Sequence, residues 1–121
     1  VNELMKMSLG EICDRYSIVK LKSERTELDC SEEFRALEAE VRKYEDLEVF
    51  IDQLYDVNGL IWDLESDIRR GKEKELGMLE VGRRAIAIRN LNGQRVSTKN
   101  QINKKYKSGF QETKVDHASS D

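Results

Sequence analysis

The sequence predicts an all-α protein, a three- to four-helix antiparallel bundle with a short polar C-terminal tail, and three observations carry that expectation. No proline occurs in 121 residues, and proline is the residue most damaging to a helix interior. Apolar residues recur at i, i+3, i+4 and i+7 over long stretches, as one face of a helix requires. Short polar breaks with capping residues separate these stretches. The length suits one domain with one hydrophobic core, with the bundle expected over 1–107 and the tail over 108–121.

Ser8-Leu9-Gly10-Glu11 has the form of a capping box, in which Ser8 accepts from a free backbone amide and Glu11 reaches back to Ser8. The first helix is expected to start there. Leu9, Ile12, Tyr16 and Val19 form one apolar stripe, while Ile18, Leu21 and Leu28 lie on another side. A helix with two apolar sides is usually sandwiched, within the bundle or against a second copy, and this is the basis for expecting a homodimer. Asp29-Cys30-Ser31 interrupts the pattern, and Ser31 before Glu32 and Glu33 offers a cap with acids in the first turn. Helix two follows, with Phe34, Leu37, Val41 and Tyr44 inward. The apolar pattern then runs on through Leu47, Ile51, Leu54 and Ile61, yet an unbroken helix from 32 to 74 would be about 64 Å long at ~1.5 Å per residue, too long for this domain. The stripe stays in phase through Asn58-Gly59, so the break is placed at Glu45 to Leu47. Helix three runs on to about Glu75, with Gly77 in the following loop. Helix four takes in Val81 to Tyr106, with Val81, Ala85, Ile88, Leu91 and Ile102 on one side. The remaining tail either packs as an arm through Phe110 and Val115 or stays disordered.

No run approaches the roughly 18 apolar residues that span a bilayer, and no apolar segment follows a basic start, so a cytoplasmic protein without a membrane partner is expected. Cys13 and Cys30 lack the spacing of a metal knuckle or a redox pair and read as free thiols. The formal charge of −3 hides an asymmetry: −9 over residues 1–80, +8 over 81–111 and −2 over 112–121. A basic block can be a nucleic-acid footprint. An acidic remainder offers it an intramolecular partner, which is the favoured reading over nucleic acid.

The informative feature is charge placed in register with the core. On helix four the stripe from Val81, Ala85 and Ile88 continues at the same angle as Asn92, Arg95, Lys99 and Asn103. On helix three Asn58, Trp62, Glu65 and Arg69 form one stripe. On helix one Glu11, Asp14, Arg15, Lys22 and Arg25 share a face. Three helices therefore each offer a mixed-sign polar stripe, and buried charges need partners because desolvating an ion costs several kcal/mol. Three readings stay open. The first is a structural network in which Glu65 and Asp14 neutralise Arg95, Lys99 and Arg69, with Asn92 and Asn103 satisfying leftover groups. The second is a cleft whose Arg and Lys groups hold a carboxylate or phosphate, with Trp62 as an apolar wall. The third is simple solvent exposure.

The strings GEICDRYSIVKLKSER, VNGLIWDLESDIR and RNLNGQRVSTKNQIN resemble a family of small uncharacterised bacterial helical proteins. The resemblance covers most of the chain and rests on Gly10, Glu11, Asp14, Lys22, Glu24, Asn58, Trp62, Glu65, Arg69, Asn92, Arg95, Lys99 and Asn103. It implies the helical fold and no particular activity.

The chain has no GxxxxGK[ST] loop, no GxGxxG, no GxSxG elbow and no HExxH, so familiar nucleotide and hydrolase sites are not expected. His117 lies in the tail, and neither cysteine has a histidine near it in sequence. No cofactor and no metal is implied by spacing. The one enzyme class kept as an alternative is a magnesium-dependent all-α nucleotide pyrophosphohydrolase, since Glu11-x-x-Asp14 and Glu45-x-x-Glu48 have one-turn spacing. The main expectation is a binding or interaction module whose polar cleft takes an anionic small molecule. A purely structural or oligomerisation role is the other alternative.

Overall fold

Ser8 begins the first helix as its spacing predicts: in the computed structural model, which describes residues 7–108, its hydroxyl accepts from the Glu11 amide at 3.2 Å. From that cap α1 spans Leu9–Arg25, followed by α2 (Ser31–Val41), α3 (Glu48–Arg69), the single turn α4 (Glu73–Leu76) and α5 (Met78–Lys105). Among the described residues there is no strand, and no helix is long and apolar enough to cross a membrane. The expected tail, with Phe110, Val115 and His117, lies outside the described residues apart from Ser108.

The contacts fix the direction of each helix. Gly10 meets Asn103 and Asp14 meets Arg95, so α1 and α5 are antiparallel. Asp14 meets Asn58 and Arg25 meets Asp63, so α1 and α3 run the same way. Tyr16 stacks on Phe34 while Ile12 and Val19 flank Leu37, which lays α2 along α1. The long helices alternate up and down along the chain. The main core joins Leu9 and Cys13 of α1 to Leu47, Ile51 and Leu54 at the start of α3 and to Ile102 of α5. The second core lies between α1 and α2.

Helix α1 is packed against α2, α3 and α5 at once. Both of its apolar sides are therefore used within one chain, and they no longer argue for a second copy. Leu28, placed on the second side, falls beyond the helix and is 65% exposed. The break between α2 and α3 falls where the polar step predicts, with Asp46 at φ +64°. Asn58-Gly59 stays helical, because Asn58 donates into α1 and Gly59 lets Leu21 and Arg25 approach. Three expectations are corrected. Helix α2 starts one residue early, with Ser31 inside it and its amide and hydroxyl donating to Asp29. Helix α3 ends at Arg69 rather than near Glu75, because Gly71 at φ +75° closes a left-handed cap in which the Lys72 amide donates back to the Asp67 carbonyl. Tyr44 and Ala85, placed inward, are exposed.

Cys13 and Cys30 are free thiols, as expected. Burial, and then the neighbouring Asp14 carboxylate, push the Cys13 thiol up to about 12. A thiol raised in this way is neutral and inert in the folded protein. The stability tied to it is complete below the ordinary thiol value of ~8.5 and is lost as pH rises towards the folded value. At pH 8 a thiol-specific reagent is expected to modify half-buried Cys30 at once and Cys13 only at the rate of unfolding. Two equally fast thiols would show that the α1–α3–α5 core opens at Cys13.

Candidate functional site

Asp14 sits where the three central helices meet, fully buried. A carboxylate there is tolerated only with partners on every side, and three groups supply them. Arg95 of α5 binds it through two edges of its guanidinium, Nε to Oδ1 at 2.9 Å and Nη2 to Oδ2 at 2.8 Å. Asn58 of α3 donates its amide to Oδ1 at 2.9 Å and also to the Ser17 hydroxyl at 2.9 Å. Ser17 passes its own hydrogen to the Asp14 carbonyl. Asn92, one turn before Arg95, accepts from its Nη1 at 3.4 Å. The paired fork geometry is the strongest form of carboxylate recognition, and it ties all three helices to one point.

One turn towards the start of α1 lies a second cluster. Lys99, whose side chain is 8% exposed, reaches Glu11 at 3.0 Å. Glu11 therefore does not close the capping box on Ser8. Instead the free amides of the first turn are taken by three side chains: Leu9 donates to Ser108 Oγ at 2.8 Å, Gly10 to Asn103 Oδ1 at 2.8 Å and Glu11 to Ser8. The end of α5 thus caps the start of α1 across the bundle. Ser108 arrives there because Lys107, at φ +53°, turns the chain back so that the Ser108 amide donates to the Asn103 carbonyl.

On the other side of Asp14 the bundle opens into a cleft of about 200 Å³. Its apolar wall is Ile18, Leu21, Ile61 and Trp62, and its polar lining is Lys22, Asn58, Glu65, Arg69 and Arg95. Three cations thus face one acid. Glu65 pairs with Arg69, its neighbour one turn on. Two guanidinium groups lie over the Trp62 ring, Arg25 at 5.8 Å and Arg69 at 5.5 Å from its centroid. Among the described residues Lys22 makes no ion pair.

The expected site residues thus divide in three. Lys22, Asn58, Trp62, Glu65, Arg69 and Arg95 come together in the cleft. Asp14 and Asn92 lie behind it in the network. Glu11, Lys99 and Asn103 belong to the cap at the end of the bundle. Arg15 joins none of these: it is exposed, at the outer edge of the α1 stripe. Within the expected network Asp14 is the acid on Arg95 and Glu65 is held by Arg69, while Lys99 is corrected, since it pairs with Glu11 rather than with either of those acids. Ser17 and Ser108 also belong to these clusters and are not among the residues expected from the sequence. For Ser17 the signal was available, because it lies one turn after Asp14 on the inward face.

The basic block on α5 finds much of its partner inside the chain: Arg95 on Asp14, Lys99 on Glu11, and Arg84 on Glu80 and Asp67. The acids considered for metal-dependent chemistry are turned to other uses. Glu11 and Asp14 each hold a cation, and Glu45 and Glu48 are exposed around the α2–α3 junction. Among the described residues no three His, Cys, Asp or Glu side chains gather into a metal-binding group.

Fold and site together define an all-α bundle with a buried ionic network at the back of a cationic cleft. Comparisons with family models, curated proteins and solved structures gave no match.

Proposed function

We propose that this is a cytoplasmic helical binding module, related to the small bacterial helical proteins it resembles, whose α1–α3–α5 cleft takes a small organic anion carrying a carboxylate or phosphate. The observation that carries the reading is the lining: Lys22, Arg69 and Arg95 against a single acid, Glu65, around a cleft with an indole wall. Lys22 is the group with most to gain, because an anion would give its ammonium the ion pair it lacks among the described residues. The size supports a small ligand. About 200 Å³ holds roughly seven waters at ~30 Å³ each, below the ~300–1,000 Å³ of drug-sized sites.

Trp62 is the single tryptophan of the chain and lines the cleft, so its fluorescence reports occupancy directly. Millimolar inorganic phosphate or a small dicarboxylate is expected to change that fluorescence and raise the melting temperature, as any ligand of the folded state does. Lys22→Met is expected to fold normally and lose about tenfold in affinity, roughly 1.4 kcal/mol. A parent protein that shows no fluorescence change and no thermal shift, beyond that given by sodium chloride at equal ionic strength, overturns the reading. A purely structural role is the second reading, supported by the completeness of the Asp14 network, and that null result is its expected outcome.

A further inference from the structure

The large exposed hydrophobic side chains are unevenly placed. Among the described residues seven are exposed, and five of them, Val49, Leu60, Met78, Leu79 and Ile86, belong to α3 and α5. Val49 and Leu60 stand three turns apart on one side of α3, and Leu79 and Ile86 two turns apart on one side of α5. Leu60 and Ile86 lie in the seam between these two antiparallel helices, on the face away from α1. There a trough of about 670 Å³ beside Leu60 runs into a second of about 330 Å³ beside Ile86, and Asn90 lines both. The surface is an open slot, long enough for helices to lie along it. No helix of the chain fills it among the described residues.

The charges in the slot are arranged for self-pairing. Asp56 lines one end and Arg83 the other, on opposite sides of Asn90. Asp56 makes no ion pair among the described residues, and Arg83, 80% exposed, makes a short-range one with Glu80. A twofold axis crossing the seam at Asn90 carries Asp56 of one copy to the end of the slot where Arg83 of the other lies, and Arg83 to Asp56. Asp56 lies four residues before Leu60 and Arg83 seven before Asn90, so the two are offset by about 4.5 Å along the helices, within the reach of an arginine side chain. The same operation brings Val49 level with the partner's Leu79, since each lies eleven residues, about 16 Å of helix, before Leu60 and Asn90 respectively. One axis therefore matches the apolar positions and brings the opposite charges to the same ends of the slot, as an isologous interface requires.

We propose that the α3–α5 seam is the docking surface for a second copy of this chain, with the twofold at Asn90 and reciprocal Asp56–Arg83 pairs flanking a Leu60–Ile86 centre. The proposal is independent of the anion cleft, which opens between α1, α3 and α5 elsewhere on the bundle.

Sedimentation of the full chain is expected to show a species approaching twice 14.1 kDa that dissociates on dilution. Asp56→Arg and Arg83→Asp, each placing two like charges together in the homodimer, are expected to weaken association at least about tenfold. An equimolar mixture of the two variants restores both pairs and is expected to recover the dimer as a heterodimer. Leu60→Glu is expected to abolish association, with helical content by circular dichroism confirming that each variant is folded. A monomer at every concentration, a dimer indifferent to these changes, or two weakened variants that fail to recover on mixing would each overturn the proposal. Binding of a different protein to a monomeric chain through this seam would overturn it as well.

Discussion

Arg95→Met is expected to destabilise the protein by about 3 kcal/mol, near the lower end of what breaking a buried ion pair costs. The reason lies in the partner left behind. The Asp14 side chain is 1% exposed, whereas that of Arg95 is 30% exposed, so removing the arginine strands a carboxylate in the core with Asn58 as its remaining side-chain donor. Removing the carboxylate instead, by Asp14→Asn, leaves a guanidinium that can turn towards the cleft and water, and is expected to cost less. The double variant Arg95→Met with Asp14→Asn has no buried charge and keeps an acceptor for Asn58, so it is expected to recover more than half of the loss. For a chain of this size the single change amounts to roughly 10 °C of melting temperature. Losses that simply add in the double variant would show that the two side chains are not coupled. Glu65→Leu sets the scale of a surface pair: its bond to Arg69 is an exposed one-turn contact, expected to be worth below about 1 kcal/mol.

That contrast marks how far the sequence could be read. Helical phase is a local property, and it placed Asp14, Asn58 and Arg95 inward correctly, because each sits in register with apolar neighbours on its own helix. The choice between Asp14 and Glu65 as the acid on Arg95 was not local. It depends on how far α5 slides along α1 and α3, and a slip of one turn, about 5.4 Å, exchanges one acid for the next. The helix boundaries show the same division. The polar step at Glu45 ended α2 in the right region because nothing apolar competed there. Gly71 gives no such signal, because the charged residues around it carry no phase. The capping of α1 was legible for Ser8, a neighbour in sequence, and hidden for Asn103 and Ser108, which arrive from the far end of the chain.

Gly10→Ala tests that long-range closure, and the sign of its effect is the diagnostic. Helix propensity alone favours alanine over glycine by about 1 kcal/mol in a helix interior. At this position, however, a Cβ would stand 2.5 Å from the Lys99 carbonyl oxygen and 3.0 Å from Asn103 Oδ1. The first of these is backbone of α5 and cannot rotate away, so α1 and α5 must part. Parting them strains the Gly10 amide bond to Asn103 and the Glu11–Lys99 pair, both of which bridge the same crossing. Overpacking of this kind costs about 1–3 kcal/mol, and a weakened buried hydrogen bond adds about 1 kcal/mol. The clash therefore outweighs propensity, and a net loss of about 2 kcal/mol is expected from chemical denaturation. Gly82→Ala supplies the opposite sign on α5 itself: a Cβ there meets nothing within 4 Å, so propensity acts alone and a gain of about 0.5–1 kcal/mol is expected. If both alanines stabilise the protein equally, α1 and α5 do not cross at Gly10, and the cap that Asn103 and Ser108 place on α1 does not form.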